Sequence, residues 1–214
     1  MRALITTGYS VTPEVSEIAR PEFGPGEVLV KVAAGSVNNI DVMAAAGYLK
    51  GILPHTFAAV LGKDFAGTVE AVGTDVQGFA PGDEVFGAVT EPAIGRGTIA
   101  EYAVAQPTVG LTHRPAALDT ARAGALAIAG STAHTSIEAL ALQPGDTVLI
   151  VGAAGGVGSL AVQLARTTGA RVIATHRDTD GAAYLTGLGA HETIDATAGL
   201  ATAMRLHMTR VATV

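Results

Sequence analysis

The chain contains no cysteine among its 214 residues. Disulfides, a thiolate nucleophile and any cysteine-ligated zinc or iron–sulfur centre are therefore excluded. Charge is also scarce. Asp, Glu, Lys and Arg make up 15% of the chain, against roughly 25% in an average globular protein. The balance of 13 basic and 19 acidic residues, net −6, offers no cationic face for a phosphate backbone, so nucleic acid is not an expected partner. Long apolar runs are missing as well. The apolar residues after Arg2 stop at Ile5, too short for a secretion signal, and the 123–142 stretch is interrupted by His134 and Glu138. No membrane partner is expected, and a soluble, cytoplasmic protein is the default reading. What the chain does have is glycine, 27 residues, and a hydrophobic fraction of 49% rich in alanine. That composition excludes bulk disorder and, at ~150 residues per domain, fits one to two domains.

The two parts differ in texture. Over 1–115 the chain reads as β-rich. Val28, Val30 and Val32 alternate with Leu29 and Lys31, and further runs at 66–72, 84–89 and 99–104 are separated by Gly, Pro and Asp turns. Beyond Pro115 the 116–142 stretch predicts two helices broken near Gly130-Ser131-Thr132. The continuous apolar run 147–151 then predicts a strand buried on both faces. Helical spacing follows from Val157, a strand spans 171–175, a helix 179–188 and a short strand 192–196. This βαβαβ order is the mononucleotide-binding unit, so the fold class is α/β plus β-rich, with domains at 1–115 and 116–214.

The sharpest chemical signal is Gly152-Ala153-Ala154-Gly155-Gly156-Val157-Gly158 between the first strand and its helix. A glycine turn opening a helix offers free backbone N–H groups and the positive end of the helix dipole to a phosphate. Gly152 suits the tight turn, Gly155 and Gly156 close approach of a pyrophosphate, and Gly158 close helix–strand packing. The alternative is a tight turn that binds nothing. Cofactor choice is read after the second strand, where an acid would take the ribose hydroxyls of NAD. Here stand Thr175, His176 and Arg177, with the first acid at Asp178. That set favours the 2′-phosphate of NADP, because a guanidinium binds phosphate through a charge-assisted fork. The competing reading of Arg177 is a solvated loop charge.

Four segments in order, 30–41 (Val-Lys-Val-Ala-Ala-Gly-Ser-Val-Asn-Asn-Ile-Asp), 61–69, 79–85 and the 152–158 turn, resemble the zinc-free quinone oxidoreductase branch of the medium-chain dehydrogenase/reductase superfamily. The resemblance implies a GroES-like N-terminal domain followed by a partial Rossmann domain. It further implies hydride transfer from NADPH to a quinone or an α,β-unsaturated carbonyl. Where the zinc-dependent branch carries its ligands, this chain has Val37-Asn38 and Gly62-Lys63-Asp64, so no metal is expected.

By the same resemblance Asn38 is the catalytic candidate, near the nicotinamide and the substrate carbonyl. Tyr48, Thr132, Gly152, Ala154, Gly155, Gly156, Val157, Thr175, His176 and Arg177 are the cofactor-binding candidates. Plainer readings stand beside three of these: a turn cap for Asn38, a half-buried loop aromatic for Tyr48 and a helix-start cap for Thr132. Asp41, ahead of Val42-Met43-Ala44, reads as a helix N-cap, and Lys63 as a partner for Asp64 or for a phosphate. The family pattern predicts a chain roughly half as long again, since a full Rossmann sheet has about six strands. A truncated reductase is the resulting expectation, with a helix at 198–206, no fourth strand in 208–214 and the 147–151 strand left as an open edge. A non-catalytic nucleotide-binding or structural protein is the alternative function, and a homodimer a further expectation.

Overall fold

Short β-branched runs punctuated by turns build the first part of the chain into antiparallel strands. In the computed structural model, which describes residues 1–198 and the backbone of 212–213, these are β1 (Arg2–Thr6), β2 (Glu14–Glu17), β3 (Val28–Ala34), β4 (Ala59–Val60), β5 (Asp64–Val72), β6 (Glu84–Ala88), β7 (Tyr102–Ala105) and β8 (Leu111–His113). Helix α1 (Asn39–Ala45) follows β3, and α2 (Thr120–Ala123) follows β8. One antiparallel sheet runs β7-β3-β5-β6-β8 and a smaller one β2-β1-β4. Val28, Val30, Phe65, Val69, Val85 and Leu111 form the core of the larger sheet. Leu29 is buried too, opposite buried Val104 on β7, so β3 is covered on both faces there rather than alternating.

The chain divides into two units, Met1–Ile128 and Ala129–Val214, and the division falls inside α3 (Ala127–Ala139). The expected helix break at Gly130-Ser131-Thr132 is not there, because α3 runs through it. The break comes earlier, at Gly124, which ends α2. A glycine inside a helix costs only about 1 kcal/mol. Burial of Ala129, Ala133 and Ile137 at helical spacing outweighs that cost. Thr132 consequently sits exposed within a helix and is not a helix-start cap.

The second unit carries β9 (Thr147–Ile150), α4 (Gly156–Thr167), β10 (Arg171–His176), α5 (Thr179–Gly187), β11 (Glu192–Asp195) and β12 (Ala212–Thr213). Its strands are parallel, in the order β11-β10-β9-β12. Val148 and Ile150 pack with Ala161, Val162 and Ala165 of α4, while Leu149 joins Ile173 and Ile194 in a separate cluster. Alternate residues of a strand face opposite sides, so β9 is buried on both. The expectation of an open edge at 147–151 is corrected: Ala212 and Thr213 pair with Val148 and Leu149. A strand's free row of N–H and C=O groups is satisfied by any extended segment that reaches it, even a very short one. The expected 198–206 helix lies outside the described residues, apart from Ala198. Among the described residues no helix is long and apolar enough to cross a membrane.

Candidate cofactor and acceptor sites

In the second unit the turn after β9 is built by glycine. Gly152 has a φ of +71°, a conformation that L side chains resist. Its N–H donates to Thr175 Oγ1 at 3.0 Å, and Thr175 is buried on β10, so the neighbouring strand fixes the turn. Gly155 N–H donates to the Gly152 carbonyl at 3.0 Å, and Gly155 then serves as the N-cap of α4 without a capping side chain. The first-turn N–H groups of α4 are left for another acceptor. A Cβ on Gly158 would lie 2.5 Å from the Gly152 carbonyl oxygen and 2.6 Å from Ala153 Cα, so helix and turn pack backbone to backbone. At Gly156 the nearest neighbour of a Cβ would be 3.9 Å away.

A cavity of about 450 Å³ opens at this turn, lined by Val151, Gly152, Ala154, Gly155, Thr175, His176, Arg177, Asp178, Gly181 and Ala196. Six predicted residues are thus gathered: Gly152, Ala154, Gly155, Thr175, His176 and Arg177. Gly156 and Val157 are not among them. The Val157 side chain packs toward the core, which leaves only its backbone for a ligand. Arg177 is exposed and makes no ion pair among the described residues. The nearby acid is otherwise engaged, since Asp178 Oδ1 accepts the Gly181 N–H at 2.6 Å and caps α5. His176 pairs in register with Asp195 across β10–β11, and its Nδ1 is buried with no partner among the described residues. The Thr197 hydroxyl and N–H hold the Asp195 carboxyl below its usual range, with a smaller contribution from His176.

In the first unit Asn38, not Asp41, is the N-cap of α1. Asp41 lies three residues on, inside the first turn, where its Oδ2 accepts the Asn38 N–H at 2.8 Å in capping-box fashion. Its Oδ1 accepts the Gly62 N–H at 3.1 Å. Burial pushes the Asp41 carboxyl up, and those two N–H groups oppose the shift. Asn38 Nδ2 lies 2.9 Å from Asp64 Oδ2 and 3.1 Å from Ser36 Oγ, and Ser36 Oγ donates to the same Asp64 oxygen at 2.5 Å. Asp64 Oδ1 accepts the Ile128 N–H at 2.8 Å, and Asp64 is fully buried. The sequence reading missed this centre; the available signal was an acid opening the apolar run of β5.

Lys63 reaches neither Asp64 nor a phosphate pocket. Its buried ammonium donates to the carbonyls of Glu91 and Ala93, at 3.2 and 3.1 Å, and burial lowers its pKa. Tyr48 is 72% exposed rather than half-buried. It follows the C-terminal end of α1, where its N–H donates to the Met43 carbonyl at 3.0 Å. Among the described residues no group of three or more His, Cys, Asp or Glu side chains is placed to hold a metal.

Residues 24–116 match the alcohol dehydrogenase GroES-like domain family. A chloroplastic quinone oxidoreductase of Triphysaria versicolor is 38% identical over 206 residues, 91% of this chain and 61% of its own. A 2-methylene-furan-3-one reductase of Solanum lycopersicum is 37% identical over 188 residues, 85% of this chain and 48% of its own. The chain therefore spans about half to three fifths of the length of these relatives. The crystal structure of an NAD-dependent alcohol dehydrogenase superposes with a TM-score of 0.85 at 34% identity, covering 97% of this chain and 67% of that one.

Proposed function

The chain belongs to the quinone oxidoreductase branch of the medium-chain dehydrogenase/reductase superfamily, and on that premise we propose that it is an NADPH-dependent, zinc-independent reductase of quinones and α,β-unsaturated carbonyls. The observation that carries the cofactor is the glycine N-terminus of α4, which has no capping side chain and opens on the same cavity as Arg177, exposed and without an ion pair among the described residues. The cavity lining suits the phosphate end of a dinucleotide. Where a side chain would crowd a pyrophosphate there is glycine, and of the acids near the end of β10, Asp178 accepts the Gly181 N–H through Oδ1 as the α5 cap and Asp195 accepts from Thr197. The relative named for NAD does not carry that choice to this chain; Arg177 and Asp178 argue for the 2′-phosphate.

The nicotinamide, when bound, supplies the hydride. The chain's own residues bind, orient and polarise. The Gly155, Gly156 and Val157 backbone and the α4 dipole hold the pyrophosphate. Thr175 keeps Gly152 in its turn conformation, and His176 and Arg177 take the phosphorylated ribose. The family resemblance adds Tyr48 and Thr132 as further cofactor contacts. Asn38 donates an N–H to the carbonyl oxygen of the acceptor, stabilising the negative charge that develops there. Where a metal would otherwise polarise that oxygen, this chain has a buried Lys63 tied to two backbone carbonyls.

The test is NADPH oxidation, followed by absorbance, with a simple benzoquinone and with a short enal. Turnover with either supports the reading. Tight NADPH binding without turnover of any acceptor would instead make the chain a non-catalytic nucleotide binder.

A further inference from the structure

We propose that Asp64 is a positioning residue that fixes which hydrogen of the Asn38 carboxamide faces the electron acceptor, a role that rests on the reductase reading above. Asp64 is fully buried at the start of β5 and receives donors at both oxygens. Oδ1 takes the Ile128 N–H, which can only donate, and Oδ2 takes the Ser36 hydroxyl. An oxygen surrounded in this way acts as an acceptor, so the amide atom 2.9 Å from it is the nitrogen of Asn38 and not its oxygen. The reverse orientation would set the Asn38 carbonyl against a carboxylate oxygen.

The same geometry leaves one donor free. Seen from Asn38 Nδ2, its two acceptors, Asp64 Oδ2 and Ser36 Oγ, are themselves 2.5 Å apart. The two N–H bonds of an amide diverge by about 120°, so they cannot each reach one of this close pair. One N–H is shared between the two acceptors and the other points away from Asp64. The Asn38 backbone is fixed separately, by Asp41 Oδ2 on its N–H, and Asp41 is itself held by Gly62 two residues before Asp64. Two buried carboxylates thus lock Asn38, one through the main chain and one through the side chain. Asp64 never touches the acceptor; it acts through the donor it orients.

Asp64→Asn tests this with little change of shape. The new amide keeps an oxygen for the Ile128 N–H and turns an N–H₂ toward Asn38, which then flips and loses its outward donor. Acceptor kcat/KM should fall about a hundred- to thousandfold, the range of a lost oxyanion donor, while the NADPH Kd stays within twofold. In an Asn38→Ala background the same substitution should cost less than twofold. Ser36→Ala, which removes the other half of the clamp, should give a smaller loss that also vanishes without Asn38. Equal losses in both backgrounds, or none in either, overturn the proposal. The side-chain amide resonances of Asn38 give a readout that does not need turnover. One shifted, exchange-protected proton that disappears in Asp64→Asn supports the clamp, and an unchanged pair of resonances overturns it. Should the wild-type chain turn over no acceptor, the reductase reading and the catalytic consequence fall together, and the resonances alone decide whether Asp64 orients the amide.

Discussion

Two glycines three residues apart in one turn should fail in opposite ways when substituted. At Gly158 a single methyl group would stand 2.5 Å from the Gly152 carbonyl oxygen, 2.6 Å from Ala153 Cα and 3.0 Å from its carbonyl carbon. All three are backbone atoms that cannot rotate aside, so Gly158→Ala is an overpacking change costing about 1–3 kcal/mol. At roughly 4–8 °C per kcal/mol for a unit the size of Ala129–Val214, its Tm should drop by at least about 4 °C. At Gly155 the only close neighbour of a Cβ is the Gly152 carbonyl, at 3.2 Å, and the backbone is extended as an N-cap requires. Gly155→Ser supplies a favoured capping hydroxyl, a gain of a few tenths of a kcal/mol that offsets the tight contact. Its Tm should stay within about 3 °C of wild type. The same hydroxyl competes with phosphate for the first-turn N–H groups. Losing one charge-assisted hydrogen bond, about 1.5–3 kcal/mol, weakens NADPH binding roughly ten- to a hundredfold. Calorimetric melting and an NADPH fluorescence titration of both variants provide the assay. A Gly155→Ser chain that binds NADPH like wild type would refute the phosphate cradle, and a Gly158→Ala chain with an unchanged Tm would refute the packing argument.

Further outcomes follow from the same structure. Arg177→Ala should weaken NADPH at least tenfold while leaving NADH affinity and Tm unchanged, as paired titrations would read. Thr175→Val removes the acceptor of the Gly152 N–H and should cost about 1–3 kcal/mol of stability by denaturant titration, with a parallel loss of NADPH affinity. The Arg96 guanidinium, bonded to Glu27 at 2.9 Å and Glu91 at 2.8 Å, holds the Glu27 carboxyl below its usual range, chiefly by that hydrogen bond and against the opposing effect of burial. A depressed carboxyl stabilises the fold above its unfolded pKa, about 4.3, and that contribution is lost as pH falls through the folded value. Tm should therefore decline below about pH 4.3, and Arg96→Met should flatten that part of the curve.

Periodicity was a good guide where local pattern decides structure. The β9–α4–β10–α5–β11 order and the turn at Gly152 follow from an apolar run, a glycine cluster and helical spacing, all readable within about 50 residues of chain. It failed at α3, where Gly130-Ser131-Thr132 looks like a break but buried Ala129, Ala133 and Ile137 carry the helix through. It also failed at β9, whose pairing with Ala212–Thr213 joins residues more than 60 positions apart in sequence. The Asn38 site shows the same limit. The motif around Asn38 singles out that residue, yet its orientation depends on Asp64 and Ser36, which only the β3–β5 region of the fold brings together. Asp41 was misplaced by three residues because Asn38 and Asp41 are both good caps, and only the chain path shows which one ends the extended segment.

The measurement that bears most directly on the reductase reading is a fluorescence titration of the wild-type chain with NADPH and, in parallel, NADH. Saturable binding with at least a tenfold preference for NADPH is the predicted result. A folded chain that binds neither nucleotide, or that prefers NADH, would contradict it.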